Sequence, residues 1–166
     1  LSKNQQNSKN PNLISEHNKS LQFLGIKINH ILLGNFTTRE FSYSRQEICD
    51  FLFKIKQKVK PTCVFVNSSD LHQDHHVSNM ECQRTFRDIS LIEFNIERST
   101  MYSKPSFFIK LSKQEILHKI KSLKHYNTYK NKNYFQSENI LAQSKTMGIK
   151  IEHPYCEVFN IISLII

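Results

Sequence analysis

Apolar residues in this chain recur at two different spacings, and the spacings alternate several times between Ser15 and Ile162. Ile48, Phe51, Leu52 and Ile55 fall at helical intervals and predict a helix over 45–58 with Ser44 as its cap. At that spacing Phe51 is a core residue rather than an exposed aromatic platform. Cys63-Val64-Phe65-Val66 is a short β-branched and aromatic run between Pro61 and Asn67-Ser68-Ser69. It reads as a buried strand that ends in a polar loop. The same reasoning predicts helices over 15–24 (ended by Gly25), 77–87, 113–124 (capped by Ser112) and 134–147 (ended by Gly148). Strands are expected at 26–33, 91–96, 107–111 and 155–162. Residues 1–14 are rich in Asn, Ser, Lys and Gln, a composition that does not order on its own. Strand and helix thus alternate four or five times, which argues for a single α/β domain over 15–166 with a mostly parallel sheet.

Composition changes this picture little. A chain of 166 residues can bury about 70% of its unfolded surface, enough for a real core. No stretch approaches the ~18 apolar residues of a membrane span, and the apolar tail 161–166 is too short for one. Four scattered cysteines, with no C-x-x-C pair, fit reduced core thiols in a cytoplasmic protein better than disulfides or zinc ligands. The net charge of +9 admits an anionic partner, and a basic nucleic-acid-binding α/β domain is one reading of it. The lysines are spread over 54–60, 110–130 and 145–150, however, mostly on predicted helix faces, as on a solvated basic surface. A sugar carrying a diphosphate, or an acidic polysaccharide, suits the charge as well.

The chemistry is concentrated in Asp70-Leu71-His72-Gln73-Asp74-His75, directly after the strand 63–66. Ligands in α/β folds bind where loops leave the carboxyl ends of strands, so two imidazoles and two carboxylates there form a candidate metal or acid/base site. A chance polar cluster is the alternative, because H-x-x-H alone is a weak pattern. It also supplies at most two ligands, whereas a catalytic zinc takes three and keeps an open position.

The segment resembles the second motif, H-[PQ]-D-H, of the PIG-L/LmbE-like zinc-dependent N-acetyl-sugar deacetylases. Arg45-Gln46-Glu47-Ile48-Cys49-Asp50 is similar to that family's R-Q-x-I-x-D, and Lys60-Pro61-Thr62-Cys63-Val64-Phe65 to its K-P-D-x-V-F. Glu81 to Arg87 resembles E-x-x-R-A-F-K, and Tyr155-Cys156-Glu157-Val158-Phe159 resembles Y-A-E-x-F. Lys119, Leu123, Tyr126 and Thr128 match K-x-x-x-L-x-x-Y-x-S-Q, although Tyr129 stands where Gln is usual. The family's first motif, P-H-P-D-D-E, has no counterpart here. Expected to supply a His and an Asp to the metal and a second Asp as general base, it would lie at the end of the first strand. The chain is therefore expected to be either truncated at its amino end or a degenerate member, and its first letter, Leu1, favours truncation.

The resemblance implies a Rossmann-like three-layer α/β/α sandwich with its first strand missing. Unpaired strand edges would then favour association or instability in isolation. It implies a hydrolase acting on an acetylated amino sugar such as N-acetylglucosamine, free, lipid-linked or nucleotide-linked, with Zn2+ as cofactor. His75 would be the one metal ligand from this chain. His72 would face the substrate as general acid or oxyanion stabiliser, and Asp74 would orient and charge-stabilise it. His76 would point away. Arg39, in a stretch resembling N-F-P-x-R, would contact sugar hydroxyls or phosphate, or else be an exposed loop residue. Glu157 would support the site or form a structural ion pair, and Tyr126 and Thr128 would line the pocket or serve packing and capping. With half of the metal site absent the isolated chain is expected to be inactive, which leaves a sugar-binding pseudoenzyme as an alternative.

Overall fold

The computed structural model describes residues 12–166. The expected disorder of 1–14 therefore falls, except for its last three residues, outside the described residues. Those three are ordered by a helix: Glu16 N–H donates to the Asn12 carbonyl at 2.9 Å, so helix α1 runs over Leu13–Phe23 and starts before Ser15. The further helices are α2 (Arg45–Val59), α3 (Gln73–Thr85), α4 (Lys113–Leu123) and α5 (Ser137–Ile149). The strands are β1 (Cys63–Asn67), β2 (Ser90–Phe94), β3 (Phe107–Lys110) and β4 (Cys156–Ser163), in the sheet order β1-β2-β4-β3. This is an α/β fold of the three-layer α/β/α class. No described helix is long and apolar enough to cross a membrane.

The sheet is mixed. β1 and β2 run parallel, Cys63 opposite Ser90, but β4 pairs with β2 antiparallel. The amide of Ser106 donates to Phe159 and that of Leu111 to Tyr155, so β3 is antiparallel to β4 as well. A return strand at the end of the chain is invisible to hydrophobic pattern, which reports burial and not direction. Between Leu91 and Ile92 the β4 register slips, leaving Ile162 unpaired and turned against the core. Residues 26–33 form no strand. A short 3-10 turn, Ile28–His30, breaks them, and Ile26, Ile28, Leu32 and Leu33 stand exposed. Alternation alone thus overstated that segment, since nothing among the described residues pairs with its backbone as a ladder.

The chain divides into two compact units. One comprises Leu33–Phe107 and Val158–Ile166, the other Phe108–Glu157 together with residues 12–32. In the first, Phe41, Ile48, Leu52, Val77, Phe86 and Leu91 form a buried cluster between α2, α3 and β2. Ile48 and Leu52 come from the helical repeat read in the sequence, and Phe51 packs edge-on against Phe36. Glu81 is fully buried beneath Arg45 and Arg84, which pair with it at 2.6 and 3.3 Å. All four cysteines are free, though Cys63 is exposed rather than in the core, because β1 ends the sheet. Burial pushes the Cys82 thiol up to about 11, so it stays neutral.

In the second unit Ile116, Ile120 and Ile140 form the core, with Leu111, Leu123, Leu141 and Tyr155 around them. Ser112 caps α4 in a full capping box: its hydroxyl accepts from Glu115 N–H while Glu115 accepts from Ser112 N–H. The predicted helix at 134–147 begins only at Ser137, because Asn133–Phe135 takes a 3-10 turn. Gly148 does not end α5 through a left-handed backbone. It lets the His153 carbonyl come so close that an added Cβ would lie 2.2 Å from that oxygen. Because the obstacle is backbone, Gly148→Ala should destabilise the protein by about 1–3 kcal/mol in urea unfolding. A neutral result would show that the 149–153 turn shifts freely.

Candidate functional site

The stretch singled out in the sequence begins where β1 ends. The ladder runs one residue further, with Ser68 N–H donating to Phe94 at 2.8 Å, and the chain then turns toward α3. Asn67 Nδ2 donates to the Ser68 and His75 carbonyls and ties the strand end to the first turn of α3. Asn79, fully buried, donates to the Asn67 carbonyl at 2.7 Å and to Glu93 at 2.9 Å. Glu93 also accepts from Ser69 N–H and from Asn160. The loop is thus fastened to β2, β4 and α3.

α3 starts four residues earlier than pattern predicts, at Gln73, so the histidine motif is its first turn and not a loop. The reason is an uncommon cap. His72 occupies the N-cap, and its Nδ1 accepts from Asp74 N–H at 3.1 Å. His72 and His75 stack with ring centroids 4.5 Å apart and planes 25° apart. His76 Nδ1 lies 2.8 Å from the Ser69 hydroxyl.

Asp74 reaches His72 through its backbone and not its carboxylate. Its Oδ2 accepts from Arg39 N–H at 2.6 Å, while Oδ1 is buried without a hydrogen-bond partner among the described residues. Arg39 has φ +73, a left-handed backbone that costs an ordinary residue roughly 1–2 kcal/mol. Gln73 donates to its carbonyl, so both polar backbone groups of Arg39 are held by the first turn of α3. Arg39, His72, Asp74 and His75 therefore meet in one place, although Arg39 is far from the others in sequence.

The carboxylate behind His75 is Asp70, which sequence reasoning assigned no separate role. Both its oxygens lie 3.0 Å from His75 Nδ1, and its side chain is only 1% exposed. It also accepts from His72 N–H at 2.8 Å and from Ser99 Oγ at 2.6 Å. Burial would raise this carboxyl, but the bonds from Ser99, the His72 amide and His75 outweigh it and hold the group below its ordinary value. Ser99 was not found either, because it comes from the loop after β2.

Tyr126, Thr128 and Glu157 belong to the other unit and have partners there. The Tyr126 hydroxyl lies 2.8 Å from His17 Nδ1, its ring packs against Phe135, and Thr128 N–H donates to Glu16. Glu157 forms an ion pair with Lys119.

A catalytic zinc takes three protein ligands. Among the described residues no group of three or more His, Cys, Asp and Glu side chains is placed to hold a metal ion. Asp70, the acidic neighbour of His75, already has donors on both oxygens. The described donors therefore do not make up a zinc site by themselves.

No family model matches the sequence, and no curated protein matches it. Solved structures do. A conserved protein from Thermus thermophilus superposes with a TM-score of 0.73 at 16% identity, over 95% of this chain and 76% of that one. N,N'-diacetylchitobiose deacetylase from Pyrococcus horikoshii, in complex with an inhibitor, gives 0.71 at 19% identity, over 90% of this chain. The chain spans 62% of that deacetylase's length. Teicoplanin deacetylase Orf2, in a zinc-inhibited form, gives 0.64 at 11% identity, over 88% and 71% of the two chains. The fold is that of the PIG-L/LmbE-like deacetylases. At these identities the likeness is one of fold.

One consequence concerns pH. Burial pulls His17 below its ordinary value of 6.5, so the folded chain favours the neutral ring. The unfolded chain then binds more protons, and stability should fall as pH drops below about 6.5 toward the folded value. Urea midpoints measured at several pH values should show this acid limb, and His17→Gln should flatten it. An unchanged limb in the variant would assign it to other groups.

Proposed function

We propose that this chain carries the His72–His75 side of a hydrolase that removes an N-acetyl group from an amino sugar or glycoconjugate. The observation that supports it is the stacked His72–His75 pair at the carboxyl end of β1, backed by buried Asp70 and flanked by the constrained Arg39. A site in that position is where α/β folds do their chemistry. The superposable deacetylases favour amide hydrolysis over other reactions such a pair could serve.

Amide hydrolysis requires an attacking water, stabilisation of the developing oxyanion and a proton for the departing amine. His72 is the proposed hydrogen-bond donor to the oxyanion or acid for the amine. His75 is the proposed metal ligand, and Arg39 offers its guanidinium to sugar hydroxyls or a phosphate. Tyr126, Thr128 and Glu157 are assigned no substrate contact, given their internal partners. Because the described donors do not complete a zinc site, the isolated chain is proposed to be inactive. That incompleteness also favours a second reading, a module that binds an acetylated sugar without hydrolysing it.

Zinc titration and acetate release separate these. The chain should take up well under one equivalent of zinc and release no acetate from N-acetylglucosamine substrates. Tight stoichiometric zinc that disappears in His75→Ala would overturn the claim of an incomplete site. Saturation-transfer NMR with N-acetylglucosamine should show binding that Arg39→Ala weakens about tenfold, the loss expected for one charge-assisted hydrogen bond of roughly 1.5 kcal/mol. No binding to any acetylated amino sugar would count against both readings.

A further inference from the structure

Two hydrogen bonds at this site fix where protons must lie. A backbone N–H only donates, and that of Asp74 lies 3.1 Å from His72 Nδ1. This nitrogen must be bare, so a neutral His72 carries its proton on Nε2. At His75 the constraint is reversed. Its Nδ1 faces both oxygens of Asp70 at 3.0 Å, and an ionised carboxylate only accepts. There Nδ1 must hold the proton, and Nε2 keeps its electron pair.

We propose that Asp70, steadied by Ser99, is a positioning residue that holds His75 in the Nδ1–H tautomer, while the Asp74 amide holds the stacked His72 in the Nε2–H tautomer. A turn-forming role does not account for the arrangement. The His72 amide uses Oδ1 alone, as an Asx turn requires, whereas Ser99 Oγ donates to Oδ2 at 2.6 Å. The carboxylate is thus anchored from two sides, with His75 Nδ1 equidistant from its oxygens. The result is an electron-pair donor and a hydrogen-bond donor on rings 4.5 Å apart. A bare Nε2 suits metal ligation, and a carboxylate behind the ring raises its basicity. An Nε2–H suits a developing oxyanion. The chemical use of the pair rests on the hydrolase reading, but the tautomers themselves need neither metal nor substrate.

Long-range 1H–15N correlation on metal-free, 15N-labelled protein tests this, at a pH about two units above the ordinary histidine value. Protonated and bare ring nitrogens have well separated 15N shifts. His75 should show protonated Nδ1 and bare Nε2, and His72 the reverse. In Asp70→Asn, His75 Nε2 should move toward the protonated range while His72 is unchanged. Ser99→Ala, a smaller change, should shift His75 in the same direction by less. An Nε2–H His75 in the wild-type chain would overturn the proposal even if the Asp70 variant fails to fold. A His75 spectrum unaffected by Asp70→Asn would overturn the role of Asp70, and one unaffected by Ser99→Ala would remove Ser99 from it. Absence of deacetylase activity would leave every one of these spectra as predicted, so the two readings fail separately.

Discussion

Asp70 is a carboxylate with almost no water around it, and its donors come from three parts of the chain. The His72 amide lies in the turn, His75 on α3, and Ser99 in the loop after β2. A buried charge left without donors would cost several kcal/mol, so these three segments are held to the positions that supply them. The two parts of the chain on either side of β2 are thereby joined at one ionised group. The turn at Asp70 is therefore an anchored junction, although its composition is that of an ordinary polar loop.

Around this junction the amides and carboxylates are arranged so that each anchors backbone as well as side chain. Glu93 accepts from the Ser69 amide and from the side chains of Asn79 and Asn160. Asn79 in turn holds the Asn67 carbonyl, and Gln83 holds Asn79. Polar groups in such a place are expensive unless satisfied, and once satisfied they specify a single geometry. This explains why α3 has little apolar character on its buried face: Asp74, Ser78, Asn79, Glu81 and Thr85 are all buried there beside Val77. A helix with that face could not be recognised by hydrophobic spacing over its first turn.

The sequence was readable where burial and period coincide. Ile48 and Leu52 fell at helical intervals and lie in the core of their unit, and Ser112 announced α4, whose Ile116 and Ile120 lie in the other core, through a cap that the structure completes. His72, His75 and Arg39 were legible through resemblance, and the fold brings them together. Asp70 stood in the singled-out cluster, but its role and Ser99 were not legible, because they depend on a contact across 29 residues that no local pattern encodes. The segment 26–33 misled for a related reason. Alternation identifies residues able to line a strand, but a strand also needs a neighbour to accept its amides, and the described residues supply none. β4 was found as a strand, yet its direction could not be read, since parallel and antiparallel partners place the same side chains on the same face.

The allocation of Asp74 follows from the same economy of donors and acceptors. One of its carboxylate oxygens is bound to the Arg39 amide, and that bond stabilises a left-handed arginine which would otherwise relax. Among the described residues this carboxylate bonds the Arg39 amide and makes no hydrogen bond to His72. The Asp74 backbone does that instead, through a cap that also starts α3. Helix initiation and ring orientation thus depend on one hydrogen bond, and the left-handed turn at Arg39 depends on another from the same residue. The second oxygen is buried and has no hydrogen-bond partner among the described residues. Unsatisfied buried acceptors persist where a fold has a use for them or lacks a donor to cover them. Here it belongs to the carboxylate that holds the Arg39 amide, the arginine that the proposed chemistry places next to the sugar.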